Sequence, residues 1–272
     1  MHKHTHTRTH THTLIYTNID GFWTETSKDE EDLTVTQISL YYESICPDSR
    51  KFFLNQLYPT YEKLNRFMDV ELVPFGNANV SYPRHDNKPV FHCQHGPNEC
   101  HGNRIQACVI EMVRNTDTSL RFVHCMFQQS DWKDTSATAR RCAQSMQLDW
   151  SKIEQCANGD EGERLLIAYS LKTFNLNPEH TYVPWIVIDK NHTTTMQSRA
   201  ESGLLRYLCE EYFNHEPRIE QCKIDQFQSQ EQRYNGGSSL HSTNSSMINL
   251  REIILLLAIL VINSSTPFMV IH

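Results

Sequence analysis

The sequence predicts an α/β fold carrying a disulfide-linked helical insertion, and three observations predict it. Residues 34–75 read as strand, helix, strand, the order of a βαβ unit. Residues from about 80 to 160 hold six of the nine cysteines among short helical stretches, so a cross-linked helical segment interrupts the α/β order. The chain has 272 residues, 39% of them hydrophobic, which is enough for one well-buried domain with an insertion.

The elements follow in order. Thr34–Tyr42 (TVTQISLYY) is β-branched and aromatic with partial alternation, a strand pattern. Cys46-Pro47-Asp48-Ser49 comes next; Pro47 suits the first turn of a helix, and Asp48 favours its positive end. The run SRKFFLNQLYPTYEKLNRF has apolar residues at helical spacing, with Pro59 marking a kink or restart. Val70–Phe75 reads as the second strand. Within the insertion, Arg104–Arg114 and Ser136–Met146 read as helices. Glu161–Asn175 is an amphipathic helix, Tyr182–Asp189 (YVPWIVID) a strongly apolar strand, Lys190-Asn191-His192 a turn, and Ala200–Phe213 a closing helix.

Both ends differ in character. Residues 1–33 open with MHKHTHTRTHTHT. A His-rich tract can bind metal, but alternating His and Thr is also what a CA repeat encodes, so this stretch is expected to be disordered or a misassigned gene start. The longest apolar run before Glu31 is Leu14-Ile15-Tyr16, short of the roughly 7–15 residues that a secretory signal needs. Residues 223–252 read as a disordered linker. The tail, 253–272, contains the apolar run Ile253–Ile262, whereas a membrane-spanning helix takes about 20 residues. Gly236, Gly237, Ser238 and Ser239, a polar spacer and that tail together have the layout of a glycolipid-anchor signal. A weak membrane helix and a tail without a role stay open beside it.

A formal net charge of −7 argues against a nucleic-acid partner, which needs a basic surface. Nine cysteines are unusual in a reducing compartment and place the chain in the secretory pathway. An odd count leaves one thiol over. The sequons at Asn79, Asn191 and Asn244 are glycosylation candidates that fit lumenal passage, whereas Asn263 lies against the apolar tail. Zinc is a rival use for Cys93, His95, Cys100, His101 and Cys108. Structural zinc pairs are usually spaced by two to four residues, however, and these are not. No metal is expected.

Cys46 is the candidate reactive thiol. It lies between a strand and a helix start, where unpaired N–H groups and the helix dipole favour the thiolate that attacks disulfides. The position one turn on, where a second thiol would resolve a mixed disulfide, is Ser49. Its hydroxyl can donate to sulfur but cannot form a disulfide. His85, His92 and His124 read as surface or satisfied core histidines. Trp185 reads equally as groove or core.

Residues 93–108, CQHGPNECHGNRIQAC, match at every fixed position the signature of the gamma-interferon-inducible lysosomal thiol reductases. The chain resembles that family over about residues 34–222, which include Pro74–Ala78 (PFGNA) and YVPWIVID. The resemblance implies a thioredoxin-like core with a disulfide-linked helical insert and an enzyme that reduces disulfides of other proteins. It makes Cys46 the nucleophile and Ser49 the occupant of the resolving position. Val183 and Pro184 would present the substrate-binding backbone through a cis proline facing the active cysteine.

The resemblance further implies no bound cofactor, with a small thiol such as glutathione or cysteine as co-reductant. The expected partners are disulfide-containing proteins. The expected location is secreted or lysosomal, with membrane attachment through the tail as a further expectation. Cys93, Cys100, Cys108, Cys125, Cys142, Cys156, Cys209 and Cys222 are the disulfide candidates, and the sequence does not choose among their pairings. The alternative reading is a non-catalytic secreted thioredoxin-like glycoprotein that binds partners through Cys46 or by shape.

Overall fold

The computed structural model describes residues 14–19, 22–27, 35–83, 88–213 and 219–223. The first two strands, β1 (Leu14–Ile19) and β2 (Phe22–Ser27), pair antiparallel. This differs from the structureless start expected for residues 1–33. The Asp-Gly dipeptide between two β-rich runs is a strong short-range hairpin signal, and it outweighs the polar composition around it. Residues 1–13, the linker from 224 and the tail 253–272 lie outside the described residues.

β3 (Thr36–Tyr42) is the central strand of a three-stranded sheet. It pairs parallel with β4 (Met68–Pro74) and antiparallel with β7 (Trp185–Ile188). The connection from β3 to β4 is one helical stretch. It comprises α1 (Pro47–Phe52), a π-helical turn over Phe53–Leu57, α2 (Tyr58–Leu64) and a 3-10 turn over Asn65–Phe67. Pro59 does not break it. Proline has no N–H to give the carbonyl four residues back, and the preceding turn widens, with the Tyr58 N–H donating five residues back to Phe53 O.

The insertion opens with a hairpin that the sequence pattern misses, β5 (Asn79–Ser81) with β6 (Val90–His92). Both strands are short and largely exposed, so they carry no burial signal. Four helices follow: α3 (Pro97–Val113), α4 (Thr116–Gln128), α5 (Thr135–Ser145) and α6 (Trp150–Asn158). α3 starts well before Arg104. Gly96 supplies a left-handed φ of 91° at the N-cap, and Pro97 occupies the first turn. α7 (Asp160–Phe174) leads to β7, which is shorter than YVPWIVID because Pro184 cannot donate to a ladder. α8 (Thr194–Glu211) packs on the sheet and begins earlier than Ala200, since the Thr193 side chain caps it by accepting from Met196 N–H at 3.1 Å.

Side chains alternate across the sheet as strands require. Ile38, Leu40 and Leu72 pack on one face with Phe53, Leu57, Leu204 and Leu208 of the α1–α2 stretch and α8. Tyr41, Val73 and Trp185 pack on the other face with Ile105, Val109 and Leu166 of α3 and α7. The result is the α/β core with a helical insert that the sequence predicts, its sheet three-stranded among the described residues.

Four disulfides hold the insert and the segment that follows α8. They are Cys93–Cys100, Cys108–Cys156 between α3 and α6, Cys125–Cys142 between α4 and α5, and Cys209–Cys222. Cys46 is the free cysteine. With Cys93, Cys100 and Cys108 in disulfides, no thiolates remain there for the zinc arrangement weighed from the sequence.

Candidate active site around Cys46

Cys46 is the N-cap of α1. Its backbone is extended (φ −76°, ψ 125°), and its Sγ accepts the Ser49 backbone N–H at 3.5 Å. Sulfur thus occupies the place of a capping oxygen, with the open N-terminal end of the helical stretch directed at it. Pro47, lacking an N–H, costs nothing at the first position.

Ser49 is fully buried. The expected hydroxyl-to-sulfur bond is not the one formed. The Ser49 hydroxyl accepts the Glu43 backbone N–H at 3.4 Å, and the amide of Ser49 meets the sulfur instead. The Cys46 N–H in turn donates to the Glu43 carbonyl at 3.4 Å. Glu43 therefore closes the turn that carries the thiol from both sides.

The Val183–Pro184 peptide bond is cis. The Pro184 carbonyl accepts from Gln197 Nε2 at 2.8 Å, and Gln197 Oε1 accepts the Ile186 N–H at 2.9 Å, so α8 fixes this segment. A groove of about 320 Å³ lies between it and α1, lined by Asp48, Lys51, Tyr182, Val183, Pro184 and Glu201 among others. Its α1 wall begins two residues after Cys46. Trp185 is buried, stacks on His192 with ring centroids 3.7 Å apart, and serves the core.

Two acidic side chains meet at the turn that precedes Cys46, Glu43 on the turn itself and Glu99 on α3. Glu43 and Glu99 are both fully buried, and His95 Nδ1 reaches each, at 3.3 Å and 2.5 Å. Burial first, then the neighbouring Glu99 carboxylate, push the Glu43 carboxyl up to about 7, while the Asn77 N–H and His95 act in the opposite direction. Glu43 Oε1 accepts the Asn77 N–H at 2.8 Å. A usable sequence signal existed: Glu99 and Asn103 share one face of α3 at four-residue spacing, and His95 stands four residues before Glu99, ahead of the helix cap. His124 stacks on Tyr58, and His92 contacts Ser81 Oγ at 3.1 Å; neither belongs to this cluster, and His85 lies outside the described residues.

The model of the family described as gamma interferon inducible lysosomal thiol reductase matches residues 37–146. A gamma-interferon-inducible lysosomal thiol reductase of Carassius auratus is 37% identical over 66% of this chain and 70% of its own. A gamma-interferon-inducible lysosomal thiol reductase-like protein of Anopheles gambiae is 31% identical over 82% of this chain and 89% of its own. The chain belongs to this thiol reductase family. Its fold is also similar to that of a putative protein disulfide isomerase from Nitrosomonas europaea, with a TM-score of 0.45, 11% identity, and coverage of 65% of this chain and 99% of the other.

Membership in the family supports a thiol–disulfide oxidoreductase in general. Among the described residues no helix is long and apolar enough to cross a membrane. Asn79 and Asn191 are exposed; Asn244 lies outside the described residues.

Proposed function

We propose that the chain reduces disulfides of other proteins through Cys46 alone, with a small thiol from solution completing each turnover. The observation that carries this reading is the isolation of Cys46: eight of the nine cysteines are paired, and the ninth caps a helix beside the Val183–Pro184 groove.

The chemistry follows from that placement. The Cys46 thiolate attacks one sulfur of a substrate disulfide, forms a mixed disulfide and releases the other sulfur as a thiolate. The Ser49 amide and the helix end stabilise negative charge on the attacking atom. Val183 and Pro184 offer backbone along which an extended substrate segment lies. Ser49 cannot resolve the mixed disulfide. Glutathione or cysteine attacks it, the substrate leaves as a thiol, and a second small thiol regenerates Cys46. The net reaction converts one protein disulfide and two small thiols into two protein thiols and one small-molecule disulfide.

Four disulfides, exposed sequons at Asn79 and Asn191, and relatives named as lysosomal support work in the secretory pathway or the lysosome, with Asn244 as a third acceptor. Glutathione-driven reduction of a disulfide-linked protein by the full chain tests the proposal. Turnover that needs added thiol and vanishes in Cys46→Ser is expected. A parent chain that never turns over under any thiol supply would leave a binding protein in its place.

A further inference from the structure

The signature segment 93–108 has no assigned task in this reaction, yet its polar side chains converge on the turn that bears Cys46. Asn103 Oδ1 accepts the Ser44 N–H at 2.9 Å, and the Ser44 hydroxyl donates to the Glu99 carbonyl at 3.1 Å. Ser44, Glu99 and Asn103 are all buried. His95 Nδ1 reaches both the Glu99 and Glu43 carboxylates. Gln94 Oε1 accepts from Asn77 Nδ2 at 2.7 Å, while the Asn77 backbone N–H donates to Glu43. The Cys93–Cys100 disulfide ties the His95 loop to the first turns of α3.

The backbone makes room for this convergence. A Cβ on Gly102 would stand 2.5 Å from Ser44 Oγ, so α3 approaches the turn as closely as glycine allows. A Cβ on Gly76, which has φ +60°, would stand 2.3 Å from Glu43 Cγ. The contacts from the signature segment fall on Glu43 and Ser44, the residues three and two before Cys46.

We infer that the signature segment is a positioning clamp for the Cys46 turn, and that Glu43, His95 and Glu99 form its proton-holding part. The inference rests on the reading of Cys46 as the nucleophile. One Nδ1–H cannot satisfy two buried carboxylates at once, and two like charges in such a site do not both ionise freely. Glu43 Oε2 lies 3.3 Å from His95 Nδ1 but makes no hydrogen bond, the Nδ1 being engaged by Glu99 at 2.5 Å. A proton kept on Glu43 leaves the clamp with a single negative charge, held by His95. Losing that proton sets two buried anions against each other at the turn that leads to Cys46 and loosens it. The charged or titratable side chains acting on Glu43 are Glu99 and His95, and His180 hydrogen-bonds the backbone of Gly76, which packs on Glu43. The β4–β5 turn contributes the neutral Gly76 and Asn77, and α5 contributes the neutral Thr135.

The test uses the full chain, Asn103→Ala and Glu43→Gln. Glu43→Gln keeps an acceptor for the Asn77 N–H but cannot ionise. Backbone hydrogen exchange of peptides covering residues 43–49 reads the turn whether or not the chain turns over. The rate of mixed-disulfide formation with a protein substrate reads its consequence for chemistry, and unfolding midpoints report the folded fraction.

Asn103→Ala is expected to lose protection in 43–49 but not in α4, and to form the adduct about tenfold more slowly per folded molecule. The ratio of the Glu43→Gln rate to the wild-type rate is expected to rise from acid pH to about 8. Unchanged local exchange in Asn103→Ala, or a constant ratio across pH, would overturn the clamp. So would one zinc ion bound per chain and lost in Glu43→Gln, since the three side chains would then be ligands. A wild type that forms no adduct while the exchange result holds would instead remove the reductase reading and keep the clamp as an architecture of the turn.

Discussion

The side chain of Asn103 holds the backbone N–H of Ser44 at 2.9 Å, joining the middle of α3 to the turn that carries Cys46. The insertion is thereby part of the site, and its geometry predicts how the site responds to change.

Gly102→Ala would place a methyl group 2.5 Å from both Ser44 Oγ and Thr135 Cγ2. Overpacking of this kind costs about 1–3 kcal/mol. A lower denaturant midpoint together with slower attack by Cys46 is the expected result. A midpoint loss with unchanged chemistry would separate α3 packing from the turn.

The Glu43 carboxyl sets a pH dependence of stability. Its ionisation is held up to about 7 in the fold, above the ordinary carboxylate range. The folded state therefore binds this proton more tightly than the unfolded state. The contribution is complete below the unfolded carboxylate value and is lost as pH rises through about 7, an effect on the order of 2–3 kcal/mol. Chemical denaturation at acid and mildly alkaline pH measures it, and Glu43→Gln should flatten the dependence.

The Cys108–Cys156 bridge closes a stretch with a sequence separation of 48 between α3 and α6. The chain-entropy argument gives about 4 kcal/mol for a loop of that length. The double Cys→Ala variant is expected to lose stability near that amount in unfolding titrations. It should lose more than the Cys93/Cys100 pair, whose sequence separation is 7.

Ser49→Cys restores a thiol one turn beyond Cys46. The site is fully buried and the Ser49 hydroxyl accepts the Glu43 N–H, so the larger, weakly accepting sulfur should cost about 1–3 kcal/mol. A resolving thiol held within the same turn competes with thiols in solution at a high effective concentration. Release of substrate from the mixed disulfide should become at least about tenfold faster and independent of external thiol, while glutathione is still consumed in reducing the disulfide formed between Cys46 and the introduced thiol.

Much of this was legible in the sequence. The β3–α1–β4 order, the cysteine-dense insert and the Cys46 position followed from β-branched runs, helical spacing and Pro47. The extended start of α8 was not read, because its cap depends on the Thr193 hydroxyl rather than on hydrophobic period. The β5–β6 hairpin was invisible because exposed three-residue strands bury too little to impose alternation. The Glu43–His95–Glu99 cluster joins residues from two distant segments, so no single window displays it. Its half on α3 shows as a polar stripe, and the other half needs the fold.

The most direct measurement of the central claim is intact-mass analysis of the native chain mixed with a disulfide-linked protein in the absence of any small thiol. With Ser49 unable to resolve, one substrate chain should add per molecule, map to Cys46 and release on adding glutathione. No adduct, or adducts spread over the other eight cysteines with Cys46 unmodified, would contradict the account.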